Sequence, residues 1–197
     1  MARVKLHPEL KKAISQLSNK EKDKLLFRLL PKDAALVAQL EFQLLEGGET
    51  KEERRNELNE EIDKRLERYQ SYYYSPGYLL LELRDISGMI NRHVKMTKDK
   101  YGEIELNFQL LNTTLTFFGD YLREASAYRC RTLNDYVIKR SLKLLQLLGK
   151  LHEDYILDFR PAMEELGIHI NQIPSMLKMA NHLGLDIESL RNGELPE

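Results

Sequence analysis

Four carboxylates carry the most definite chemistry this sequence could do. Glu57 and Glu60 are three residues apart, and so are Glu82 and Asp85 further along. Residues three apart share one face of a helix, so each pair would offer two oxygen donors side by side. Mg²⁺ is a hard cation usually held by one or two carboxylates together with substrate phosphates. Two such pairs on facing helices would suit an Mg²⁺-bound triphosphate.

The order and separation of these pairs are similar to the motif of the all-α nucleoside-triphosphate pyrophosphohydrolases, the MazG and dimeric dUTPase group. The resemblance implies Mg²⁺ as cofactor and attack of water on a phosphoanhydride. Glu57, Glu60, Glu82 and Asp85 would be the metal ligands. Helical geometry sets a test. Ser75-Pro76-Gly77 closes one helix and starts the next. A simple hairpin turning there brings Glu82 and Asp85 level with Arg65 and Arg68. Glu57 and Glu60 then lie about eight residues further on, roughly 12 Å along the axis at ~1.5 Å per residue. Without a kink or a long turn the pairs do not share an ion, and Arg65 or Arg68 pairs with Glu82 or Asp85.

Five tyrosines, Tyr69, Tyr72, Tyr73, Tyr74 and Tyr78, flank the same turn. Tyrosine is amphipathic and anchors protein contacts; it can also stack on bases. The plainer role is packing around the turn with hydroxyls outward. The cluster is kept as a candidate interaction surface. The histidines, His7, His93, His152, His169 and His182, show no HExxH and no cysteine at zinc spacing. Cys130 lies between Arg129 and Arg131, and cations can lower a thiol pKa. No base is spaced to activate it, so a semi-buried structural thiol is expected. Ala180, Gly184 and Leu190 have the spacing of a helix-turn-helix. The second helix would carry Asp186 and Glu188, which repel phosphates.

The elements that position these residues read as helices throughout. Pro8 opens the first. Ser18 with Glu21 has the capping-box pattern for a second, whose expected core face is Leu25, Leu26, Leu29 and Leu30. Leu36, Val37, Leu40, Leu44 and Leu45 follow at helical spacing until Gly47-Gly48 stops them. Residues 49–73 carry one narrow apolar seam through Leu58, Ile62, Leu66, Tyr69 and Tyr73. Ile104, Leu106, Phe108 and Leu110 alternate as in a strand. Ile104, Phe108, Leu111, Leu115, Phe118 and Leu122 nevertheless keep helical spacing, and the longer pattern predicts a helix. Residues 132–160 have the strongest helical pattern and predict a central helix, kinked or restarted at Pro161, with a short helix ending at Gly167. A helix over about 173–183 stops at Gly184, and Asp186 caps a last turn.

The chain has 197 residues, 42% apolar and 31% charged, with no tryptophan, 10 glycines and 6 prolines. Few breakers leave room for long helices. The expected fold is all-α, roughly eight or nine helices in antiparallel hairpins, as a bundle or an α-α superhelix. It is expected as one domain over 1–197, with 161–197 as a candidate small C-terminal helical appendage. The single cysteine, the missing membrane-length apolar run and the lack of a leader-like stretch over Met1–Leu10 point to the cytoplasm.

Net charge is −1 but uneven. Residues 1–30 carry eight Lys/Arg against three Asp/Glu, 127–150 six against one, and 151–197 three against nine. The basic stretches could form a groove for a phosphate-rich partner, and the acidic tail opposes nucleic acid. The reading that follows is a non-enzymatic helical interaction or scaffold protein with a protein partner, no cofactor and no membrane, able to self-associate through the 49–73 helix. The Mg²⁺-dependent pyrophosphohydrolase and a nucleic-acid-binding protein are the alternatives.

Overall fold

The structure, a computed structural model, describes residues 5–195. The expected fold class holds: the chain is 83% helical, with ten α-helices and no strand among the described residues. Backbone contacts divide it into two compact units, 1–48 and 49–197. No helix among the described residues is long and apolar enough to cross a membrane.

The first unit holds α1 (Pro8–Gln16), α2 (Asn19–Leu29), a 3₁₀ turn at Leu30–Lys32 and α3 (Ala34–Leu44). Its local signals act as read. Ser18 and Glu21 form the reciprocal capping box, and the Asp33 side chain accepts from the amides of Ala35 and Leu36 to start α3. Burial departs from expectation. Of α1, α2 and α3, only Phe42 is buried. Leu26 and Leu29, expected in a core, are about half exposed at 51% and 52%. A chain segment with three short amphipathic helices has too little surface of its own to enclose its apolar stripes.

The second unit holds α4 (Lys51–Gln70), α5 (Pro76–Thr97), α6 (Lys100–Glu124), α7 (Ala127–Leu148), α8 (Glu153–Gln172), α9 (Pro174–Leu183) and α10 (Ile187–Arg191). α4 and α5 form the hairpin expected at Ser75, whose hydroxyl accepts from the Tyr78 amide. The centre is α6, not the expected 132–160 helix: α6 packs against α4, α5, α7 and α8. Its Ile104, Leu106, Phe108, Leu110 and Leu111 are all buried. Burial on every side explains why both the strand-like and the helical spacings appear in that window. Buried hydroxyls inside the bundle back-bond one turn up, Ser87 to Leu83 O, Thr114 to Leu110 O and Ser141 to Val137 O.

The 132–160 pattern is two helices. α7 ends at Leu148 with Gly149 as its cap, and α8 begins after His152. Pro161 lies inside α8 without restarting it, and Gly167 does not end that helix. Gly167 has a packing role instead: a Cβ there would sit 2.8 Å from the Arg191 backbone nitrogen. α10 therefore lies directly on the glycine face of α8. α9 packs on α7 and α8 and ends at Gly184, at φ 76°, a left-handed conformation glycine adopts without steric penalty.

Candidate functional site

The hairpin places the acidic pairs unequally. Arg65 of α4 reaches across to α5, with Nη2 2.6 Å and Nε 2.7 Å from Glu82 Oε1 and Nη1 2.7 Å from Asp85 Oδ2. Arg65 and Glu82 are about four-fifths buried. Burial works against the Arg65 charge, yet the hydrogen bonds to Asp85 and Glu82 outweigh it and raise its pKa above the usual guanidinium value. Glu57 and Glu60 are exposed on α4, and Glu60 accepts from Lys64 Nζ at 2.9 Å. Glu82 and Asp85 are thus brought together on a guanidinium. Among the described residues, no three His, Cys, Asp or Glu side chains gather as a metal site.

The tyrosine cluster splits by depth. Tyr69 is buried and Tyr73 half-buried, both against Phe118 at ring-centroid distances of 5.8 and 5.4 Å. Burial pushes the Tyr73 phenol up to about 12, and its hydroxyl has no hydrogen-bond partner. Tyr72, Tyr74 and Tyr78 are exposed. Tyr74 and Tyr78 meet edge to face at 5.2 Å, and Leu81, one turn on from Tyr78, is exposed as well.

The densest ionisable cluster was not singled out from the sequence. Asp99 caps α6 by accepting from the Gly102 amide at 2.9 Å. It also lies 3.4 Å from Arg55 Nη1 and 3.7 Å from His93 Nε2, with Asp99 and His93 almost wholly buried. Burial alone would raise the Asp99 pKa; the neighbouring His93 imidazole, the Gly102 hydrogen bond and the Arg55 charge outweigh it and hold the pKa below the ordinary carboxylate value. Arg55 also contacts Glu105 at 3.0 Å and lies over the Tyr101 ring. Further along the α4–α6 seam, Asp63 accepts from Gln109 and Thr113. Arg55, Asn59 and Asp63 recur every four residues. That recurrence was a legible sign of a polar stripe, but not of its partners on α6. Enclosed in this way, the cluster pins α4 to the α5–α6 corner.

Cys130 is wholly buried, and burial raises its pKa. Arg129 and Arg131 point away as exposed residues on the same helix. His7 and His152 are exposed, and His169 lies 3.5 Å from Glu165. α10 has five residues and packs against α8 and α9, so it has little free face to lay in a nucleic-acid groove.

The first unit carries an exposed apolar trough of about 380 Å³. Phe27, Leu30 and Pro31 form one wall, Val37, Leu40, Leu44 and Leu45 the other, with Glu41 beside them. Phe27, Leu44 and Leu45 are 71%, 74% and 81% exposed. Lys20 and Lys24 lie seven and three residues before Phe27, on its helical face. Together with Lys32 they are exposed and make no ion pair among the described residues.

No family model, curated protein or solved structure matches the chain.

Proposed function

We propose that this is a non-enzymatic protein-interaction protein that docks an amphipathic helix of another protein in the trough between α2 and α3. The observation that carries this is the exposure of Phe27, Leu44 and Leu45 side by side on short helices. Contiguous exposed apolar surface of this kind marks interaction sites in folded proteins. An apolar helix face laid into an apolar groove is a recurrent recognition mode. Lys20 and Lys24 share the helical face of Phe27 and Lys32 follows Pro31 in the chain, so acidic residues beside the partner's apolar ridge would complement them. The exposed Tyr74, Tyr78 and Leu81 support the same class of function, because tyrosine is enriched at binding hot spots.

The test is crosslinking mass spectrometry on complexes captured by the native chain and by a Phe27→Glu/Leu45→Glu variant. The expected result is crosslinks from residues 20–46 to a partner helix with an apolar ridge and acidic flanks, lost in the variant. Equal capture by both chains, or crosslinks confined to 49–197, would overturn the proposal.

A further inference from the structure

A second site lies in the other unit and rests on different observations. Two adjoining cavities, of about 390 and 440 Å³, run between α7 and α9 and share Arg131, Met179 and His182. Each is within the size range of small-molecule sites. The first has Ala127 and Tyr128 from the opening turn of α7 and Ser175 from the opening turn of α9 in its wall. Neither helix has a side-chain N-cap: on α7 Ser126 leaves the first amides without a capping acceptor, while on α9 Pro174 has no N–H and Met176 and Leu177 donate to Ile173 O, which leaves the Ser175 amide. Free amides and the positive end of the helix dipole favour an anion at such a place.

The side chains add to that preference. Arg131 and Lys178 line the first cavity and make no ion pair among the described residues. Lys139, in the second, is neutralised by Asp135 at 2.9 Å. The charge of the cleft therefore concentrates at Arg131 and Lys178. Asn134, only 1% exposed, lines the same cavity. Its amide nitrogen donates to Ser175 Oγ at 3.0 Å, while its Oδ1 has no partner. A buried carbonyl without a donor costs about 1–3 kcal/mol, so its persistence calls for an explanation. A ligand hydroxyl or amino group would satisfy it, and Ser175, already an acceptor, keeps its own proton to donate. At the rim Tyr128 is 87% exposed, a bare ring beside the cations.

We propose that this cleft binds a small phosphate-bearing ligand with a planar ring, a nucleoside monophosphate in chemistry. The phosphate lies among Arg131, Lys178 and the hydroxyl and backbone amide of Ser175. The ring stacks on Tyr128, as bases do on exposed aromatics, and a ribose or base donor reaches Asn134. Nothing in this requires the trough of the first unit, so the two proposals fail separately.

The full chain is titrated by calorimetry with AMP, GMP, CMP and UMP, with inorganic phosphate, with adenosine and with a single-stranded oligonucleotide. Amide chemical-shift mapping locates each ligand. Expected is binding of at least one nucleoside monophosphate, with shifts centred on residues 127–134 and 175–182, and weaker binding of phosphate or adenosine alone. Arg131→Gln/Lys178→Gln should weaken it by about tenfold or more. Tyr128→Ala should weaken the nucleotide but not inorganic phosphate, and Lys95→Gln on α5 should change nothing. The proposal is overturned if no nucleoside monophosphate binds at millimolar concentration, or if binding is indifferent to the Arg131/Lys178 variant. Phosphate binding as tightly as every nucleotide, or the oligonucleotide binding far more tightly than any mononucleotide, overturns it too.

Discussion

The two compact units use the same kind of helix in opposite ways. In residues 5–48, a capping box, an aspartate N-cap, a proline start and glycine stops build three helices that bury one large side chain, Phe42. In 49–195, longer helices of the same amphipathic design surround α6, which is buried on nearly every side. Local signals make a helix in either place. Only the number of neighbouring helices decides whether its apolar stripe becomes core or remains a surface available to another molecule.

The sharpest break of that comparison is one pair of substitutions. Phe118, wholly buried and touching Tyr69 and Tyr73, should cost about 3–5 kcal/mol as Phe118→Ala. Phe27→Ala, at 71% exposure, should stay within about 0.5 kcal/mol. Urea melts followed by far-ultraviolet circular dichroism measure both. Comparable losses would mean that the trough is enclosed in solution and that the contrast between the units is false.

A smaller effect is expected at the hairpin. Arg65→Ala strands Glu82 and Asp85 beside each other. Discounted for the solvent that reaches Asp85, the loss should be about 1–2 kcal/mol in the same melts. No loss would show that the α4–α5 contact is held by apolar packing alone.

Asp99 tests the polar pin by pH. The fold lowers its pKa, so its stabilisation is fully present above the ordinary value of 3.8 and is lost as pH falls through the folded value. Asp99→Asn keeps a good N-cap residue but removes the charge. It should cost about 1–2 kcal/mol at neutral pH and flatten the acid decline of stability. An acid profile identical to that of the native chain would remove Asp99 from the account.

The smallest expected effect has the opposite sign. The Tyr73 hydroxyl is buried without a partner, so Tyr73→Phe should be neutral or stabilising by up to about 1 kcal/mol. In the native chain the raised phenol pKa stabilises fully below the ordinary value of 10.0, and that contribution is lost as pH rises from there towards about 12. The pKa values of Tyr69 and Tyr101 are also raised, so absorbance titration of the phenols should show several late ionisations, of which the one near 12 is missing in the variant.

The sequence by itself determined the helices and most of their ends. Capping residues, prolines and glycines act within one turn, and their hydrogen bonds need no distant partner. It also located the hairpin at Ser75, and with it Arg65 opposite Glu82 and Asp85, because rise per residue converts spacing into height along a helix. Tertiary structure decided the rest. Gly149 had to be recognised as a stop within a continuous apolar pattern, and Gly167 as a contact surface rather than a stop, which depends on Arg191 lying against it. That Leu26 and Leu29 are exposed while Leu106 and Leu110 are buried cannot be read from leucine spacing, since burial is a property of what packs opposite. The cleft that brings Arg131, Asn134, Ser175 and Lys178 together joins positions some forty residues apart. Periodicity names the face each helix offers, but only packing chooses which faces meet.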